Sequence, residues 1–278
     1  MTSSDAPARY AVFGNPIAHS KSPEIHQAFA RQTQQNIEYS KKLVEPEAFS
    51  SVTDAFFAEG GMGLNITVPF KQEAFNYAKV LTPRARAAGA VNTLAKQEDG
   101  TIIGDNTDGV GLVSDMLHRL QWTLKDKTVL IIGAGGAVRG VLLPLLHTEP
   151  ASLTIVNRTS AKAKALAEHF VDYGEITACD FNSLQGSSFD IVINGTSASL
   201  SGELPPIPIS TFTPETCVYD MVYDIGLTPF LQFAKDQGVT ATHLADGFGM
   251  LVGQAAESFY LWRGVKPDIA PIIEQLKK

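Results

Sequence analysis

The chain has 278 residues, a length that sets a prior of about two domains and buries roughly three quarters of the unfolded surface without disulfides or a structural metal. With 44% hydrophobic and 18% charged residues it has a globular composition, and 29 acidic against 22 basic side chains, a net charge of −7, speak against a general nucleic-acid binder or a cationic membrane-surface protein. Two cysteines, Cys179 and Cys217, exclude a disulfide framework, the six histidines lack metalloprotease spacing and no apolar stretch reaches span length, so neither a metal nor a membrane partner is expected.

The first nine residues carry no basic leader or apolar signal region, which with the scarcity of cysteine points to the cytoplasm. Short apolar runs then alternate with amphipathic ones, the pattern of β-α-β units around a largely parallel sheet. Strands are predicted near Tyr10–Phe13, Tyr39–Val44, Gly63–Val68 and Val91–Lys96, with helices starting at Pro23, Glu47 and Pro69. At the first helix Ser22 reads as N-cap and Pro23 as the first helical residue, but capping leaves Ser20 unexplained. Two hydroxyls beside a helix N-terminus make a donor-rich cradle for a carboxylate.

Asn65 and Thr67 are placed on one strand face, with Lys71 in the first turn of the next helix, where a cation opposes the helix dipole. Lys71 is therefore either a mildly unfavourable surface residue or a functional amine. Asn92, in an apolar strand, needs a partner. A polar turn, Gly104–Gly109, carries Asp108 to the start of a helix through Leu112, Met116 and Leu120, and a domain boundary is expected there.

The alternation restarts with strand Thr128–Ile132, a helix to His147, strand Ser152–Val156, helix Ser160–Phe170, and strands Asp190–Asn194 and Val218–Met221. The first strand runs into Gly133-Ala134-Gly135-Gly136-Ala137, which opens the helix as a dinucleotide fingerprint requires, although Val138 stands where the third glycine is usual. The second strand ends not in a carboxylate but in Asn157-Arg158-Thr159, with Lys162 a turn later. A guanidinium can pair with a ribose 2′-phosphate that a carboxylate would repel, so NADP is favoured over NAD. Asp246–Trp262 reads as a helix and a shorter one follows Pro267, both expected to pack on the first unit.

Taken together, Ser20/Ser22, Asn65/Thr67/Lys71, Asn92-Thr93, Asp105–Gly109, the glycine turn, Asn157-Arg158-Thr159 and Gly247-Phe248-Gly249-Met250 through Gln254 resemble, in order and over nearly the whole chain, the shikimate dehydrogenase family. The resemblance implies reversible NADPH-dependent reduction of 3-dehydroshikimate to shikimate on the route to aromatic amino acids. It implies an α/β fold of two domains: a substrate-binding domain of residues 1–105 plus 247–278 and a Rossmann-like NADP-binding domain of residues 106–246. By matching position, Ser20 and Ser22 would bind the substrate carboxylate, and Thr67, Asn92, Tyr223 and Gln254, with Asn65, the remaining substrate oxygens. Lys71 and Asp108 would flank the reacting oxygen, and Met221 and Gly247 would lie near the nicotinamide.

Two segments depart from the family pattern and bear on the nicotinamide pocket: Asp224–Pro229, and Asn194-Gly195-Thr196 with glycine where alanine is expected. In the oxidative direction Lys71 must accept a proton, which the neighbouring Asp108 carboxylate opposes, so near neutral pH it is expected to be a better acid than base. Hinge closure is expected around Gly104–Gly109 and Asp246–Gly249. The chain is expected to be a monomer or homodimer. Two alternatives stand beside this reading: a broader quinate/shikimate dehydrogenase, whose members often use NAD and which an acidic residue near Arg158 would favour, and a non-catalytic sensor, which loss of Lys71 or Asp108 would favour; the sequence has neither feature.

Overall fold

In the computed structural model, which describes residues 6–277, the apolar run at Tyr10–Phe13 lies within strand β1 (Ala8–Gly14), followed by α1 (Ser22–Thr33) and β2 (Ile37–Leu43). Next come α2 (Phe49–Ala58), β3 (Gly61–Ile66), α3 (Lys71–Tyr77), β4 (Val80–Leu81), α4 (Pro83–Ala88), β5 (Thr93–Lys96), β6 (Ile102–Asp105) and α5 (Asp108–Ser114). The later half holds β7 (Thr128–Ile132), α6 (Gly136–Leu146), β8 (Ser152–Val156), α7 (Ser160–Phe170), β9 (Ile176–Cys179), β10 (Ile191–Asn194), β11 (Cys217–Asp220), α8 (Pro229–Asp236) and β12 (Leu244–Asp246). Two helices, α9 (Phe248–Arg263) and α10 (Ala270–Leu276), complete the chain.

These elements form two compact units, one of residues up to Gly111 together with those from Val252 on, the other Leu112–Leu251. The first unit has a six-stranded sheet in the order β2-β1-β3-β5-β6-β4. It is mixed: β5 runs antiparallel to both β3 and β6. One face is covered by a cluster that includes Phe13, Phe49, Phe56, Leu64, Phe70 and Leu94. Elsewhere in this unit Trp262 of α9 stacks on Tyr10, ring centroids 4.6 Å apart, and donates its indole N–H to Leu94 O at 3.0 Å. That satisfied donor is what lets a large indole help hold α9 to the first unit.

The second unit has a six-stranded sheet in the order β12-β11-β10-β7-β8-β9, parallel throughout. Val129–Ile132 and Ile191–Asn194 are fully buried, as central parallel strands covered on both faces require. Its strand order reverses between β7 and β10, and open sheets of this doubly wound kind take ligands beyond the strand C-termini at that reversal.

Several predicted boundaries shift. Ser22 is the first residue of α1 and not its cap: Lys21 holds the cap position without a side-chain bond. Thr67 lies past the end of β3, and the helix predicted from Pro69 begins at Lys71. Asp246 closes a strand, β12, instead of opening α9.

Candidate functional site

Lys71 and Asp108 each open a helix of the first unit, and Lys71 Nζ donates to Asp108 Oδ2 at 2.6 Å. The Asp108 side chain is 12% exposed and the Lys71 side chain 32%, so the pair is only partly buried. Asp108 Oδ1 accepts from Asn92 Nδ2 at 2.8 Å, so the carboxylate is held at both oxygens. Asn92 Nδ2 also reaches Thr107 Oγ1 at 3.0 Å and Gln254 Oε1 at 3.2 Å, while its Oδ1 accepts from Thr107 N and the Thr93 hydroxyl, both at 2.9 Å. Asn92 lies just before β5 and not within the strand predicted from Val91, and the partners its buried amide needs are Thr107, Asp108 and Gln254.

Gln254 arrives on α9, and Ser258 sits one turn further along the same helix. Ser258 Oγ lies 2.7 Å from Thr93 Oγ1, accepts from Asn65 Nδ2 at 3.0 Å and donates to Gln254 O at 3.0 Å. Sequence reading passed over Ser258; its spacing of four from Gln254 is the signal that places both on one helical face. Asn65 is buried, and its Oδ1 accepts from Tyr39 OH at 2.8 Å. With its amide nitrogen on Ser258 and Thr93, it supports the site from beneath.

Ser20 Oγ donates to Ser22 Oγ at 3.2 Å and accepts from Ser22 N at 3.3 Å, so the two hydroxyls sit together where α1 begins. Thr67 is half-buried, and its backbone N–H donates to Phe13 O at 3.0 Å.

In the second unit, Gly133 leaves β7 with φ +113°, a left-handed conformation that glycine adopts without steric penalty. Gly135 precedes the first residue of α6, and the helix start has no side-chain cap. A β-carbon on Gly135 or Gly136 would meet nothing within 4 Å, so there is open space beside the start of this eleven-residue helix. Ala137 is exposed and Ala134 half-buried beside them. At the end of β8, Asn157 Nδ2 donates to Thr159 O at 3.0 Å, and Arg158, Thr159 and Lys162 are exposed.

Met221 follows β11, its N–H donating to Asn194 O at 2.9 Å. A β-carbon on Gly247 would lie 2.1 Å from Met221 O, so glycine is what allows these two segments to touch. Tyr223 lies in the second unit with its ring 5.7 Å from that of Phe248, and partial burial raises the pKa of its phenol. Asp220, missed in the sequence, is fully buried and accepts from Ser199 Oγ, Thr228 Oγ1, Asn194 Nδ2 and Val222 N at 2.6 to 3.2 Å. It thereby pins the loops after β10 and β11, and burial raises its pKa. Among the described residues no cluster of His, Cys, Asp and Glu is arranged to hold a metal ion, and no helix is long and apolar enough to cross a membrane.

Comparison with known proteins covers both units. The family model described as the shikimate dehydrogenase substrate binding domain matches residues 12–94, shikimate/quinate 5-dehydrogenase matches 115–201, and the shikimate 5′-dehydrogenase C-terminal domain matches 247–277. A relative from Cellvibrio japonicus, named shikimate dehydrogenase (NADP(+)), is 59% identical over 269 residues, 97% of this chain and 96% of that one. One of the same name from Chromobacterium violaceum is 57% identical over 270 residues, 97% and 98% of the two chains. Among solved structures, an Ael1 enzyme from Pseudomonas putida aligns with a TM-score of 0.92 at 46% identity, covering 97% and 98% of the two chains. Shikimate 5-dehydrogenase from Thermus thermophilus, solved with NADP(H) and shikimate, aligns with a TM-score of 0.84 at 31% identity over 96% and 97%.

Proposed function

The chain belongs to the shikimate dehydrogenase family, and from that premise we infer its reaction: the reversible NADPH-dependent reduction of 3-dehydroshikimate to shikimate, on the route to aromatic amino acids. The observation that carries a catalytic reading over a sensor is the partly exposed Lys71 with its ammonium held 2.6 Å from Asp108.

The cofactor site fits its ligand. The open space over Gly135 and Gly136 at an uncapped helix start suits a pyrophosphate, and the exposed guanidinium of Arg158 suits a 2′-phosphate. In this reading Gly133, Ala134, Gly135, Gly136 and Ala137 hold the pyrophosphate. Asn157, Arg158, Thr159 and Lys162 hold the phosphorylated ribose and adenine, and Met221 and Gly247 the nicotinamide end. NADPH, when bound, supplies the hydride.

Ser20 and Ser22 take the substrate carboxylate, and Thr67, Asn92, Tyr223 and Gln254 the other substrate oxygens, with Asn65 fixing their orientation from below. As negative charge grows on the substrate carbonyl oxygen, the Lys71 ammonium meets it and gives up a proton. Asp108 and Asn92 keep that ammonium and the substrate hydroxyl in line. In the reverse direction Lys71 takes the hydroxyl proton. The protein is proposed to work in the cytoplasm as a monomer or homodimer, and its two free thiols, Cys179 and Cys217, suit a reducing compartment.

The test follows nicotinamide absorbance in the near ultraviolet with shikimate or quinate, each paired with NADP⁺ or NAD⁺. Reduction of NADP⁺ by shikimate above the other pairs is expected. Equal rates with quinate and NAD⁺ would favour a broader dehydrogenase, and binding of NADP⁺ without turnover of any pair would favour a sensor.

A further inference from the structure

Asp105 is a carboxylate buried to 1% exposure in β6, three residues before Asp108. Its charge is met by Arg84 at the start of α4, whose Nε donates to Oδ1 at 2.7 Å and whose Nη2 donates to Oδ2 at 2.6 Å. Thr82 Oγ1 and Asn106 N also donate to Oδ1, at 2.6 and 2.7 Å. The same guanidinium reaches Glu257 Oε1 of α9 at 3.2 Å from both terminal nitrogens.

What lies beyond each of these contacts is the site. Asp105 O accepts the N–H of Asn92 at 3.0 Å. Asn106, fixed by donating to Ala90 O at 3.1 Å, uses its Oδ1 to accept the N–H of Asp108 at 3.2 Å. Glu257 is three residues from Gln254 and so on its side of α9. One guanidinium therefore stands where the segments carrying Asn92, Asp108 and Gln254 meet, and its planar fork fits a bidentate hold that a lysine ammonium cannot copy.

We propose that Arg84 is a positioning residue of the reaction, acting through Asp105 and Asn106 to fix Asp108 against Lys71. The inference rests on the reading of Lys71 and Asp108 as the reacting pair. A purely structural ion pair would lower the amount or stability of folded protein, whereas a positioning residue lowers turnover by way of Asp108.

The experiment measures kcat and KM for shikimate and NADP⁺ in Arg84→Lys, Asp108→Asn and the double variant, with thermal melting to establish that each is folded. Arg84→Lys is expected to lower kcat about tenfold, within the range a sub-ångström misplacement produces, and to change the KM for NADP⁺ less than about twofold. In the Asp108→Asn background the same substitution is expected to lower kcat less than about threefold, since contacting residues in one network are non-additive. An equal loss in both backgrounds would overturn the positioning role and leave Asp108 as assigned. An Asp108→Asn variant with unaltered kcat would instead overturn the reading of the pair and the inference with it. If Arg84→Lys does not fold, Glu257→Gln, which weakens the third arm of the same guanidinium, is expected to show the coupling at about threefold, and additivity there would overturn the proposal.

Discussion

Val138 and Gly195 share one space: a β-carbon on Gly195 would lie 2.4 Å from Val138 Cγ2. Val138 is the residue that stands where the dinucleotide fingerprint has its third glycine, and Gly195 stands where the family pattern leads one to expect alanine. The two departures are thus one exchange of volume, a larger side chain on α6 accommodated by a smaller one after β10. Gly195→Ala is expected to destabilise the protein by about 1–3 kcal/mol through overpacking. Val138→Ala alone is expected to cost about 2 kcal/mol through the cavity it leaves. Denaturant unfolding of the double variant should show a loss smaller than the sum by about 1 kcal/mol or more; strict additivity would mean the two side chains do not compete.

Arg158 gives cofactor choice a separate test. Its guanidinium is exposed at the end of β8, beside a turn tied by the Asn157 to Thr159 bond. A charge-assisted hydrogen bond is worth about 1.5–3 kcal/mol, so Arg158→Asp is expected to raise the KM for NADP⁺ roughly ten- to hundredfold and to change that for NAD⁺ far less. Equal changes for both cofactors would place the 2′-phosphate elsewhere.

His26 predicts a pH dependence of stability. The ring is fully buried, stacked on Tyr39 with centroids 4.2 Å apart, and burial pushes its pKa down from 6.5 to about 3. The unfolded chain then binds a proton that the folded chain does not, at every pH between those two values. The stability held by the neutral ring is complete above pH 6.5 and is lost as pH falls toward 3. Between pH 7 and pH 4 the loss comes to about 3 kcal/mol. His26→Phe keeps a ring in the stack and is expected to flatten that slope in unfolding measurements; an unchanged slope would assign the acid sensitivity to other groups.

The glycine turn and its flanking elements were legible because a continuous apolar strand and a residue needing positive φ are local facts, and both appear at Thr128–Gly133. The hairpin partner β6 was not, since Asp105 disfavours a strand locally and is accommodated there by the Arg84 guanidinium from another element. The strand β12 has three residues and pairs only with β11, too little for a period to show. The helix α8 was not predicted although Thr228-Pro229 carried a readable start signal: Thr228 Oγ1 accepts from Leu231 N at 3.3 Å and Pro229 takes the first helical position. In the candidate site, residue type and position drew attention to Lys71, Asp108 and Asn92 but left each ambiguous, and only the family resemblance implied their roles. Ser258 was readable only as a neighbour of Gln254 on one helical face; its bond to Thr93 spans 165 residues and exists only once α9 returns to the first unit.

The most direct test of the account is the initial rate of NADP⁺ reduction by shikimate with the wild-type chain and with Lys71→Ala, alongside a fluorescence titration of NADPH binding. General acid–base catalysis contributes about 10²- to 10⁴-fold, so kcat is expected to fall by that much while NADPH affinity stays within about twofold. An unchanged kcat in Lys71→Ala, with the protein folded and NADPH bound, would contradict the assignment of Lys71 as the proton donor and acceptor.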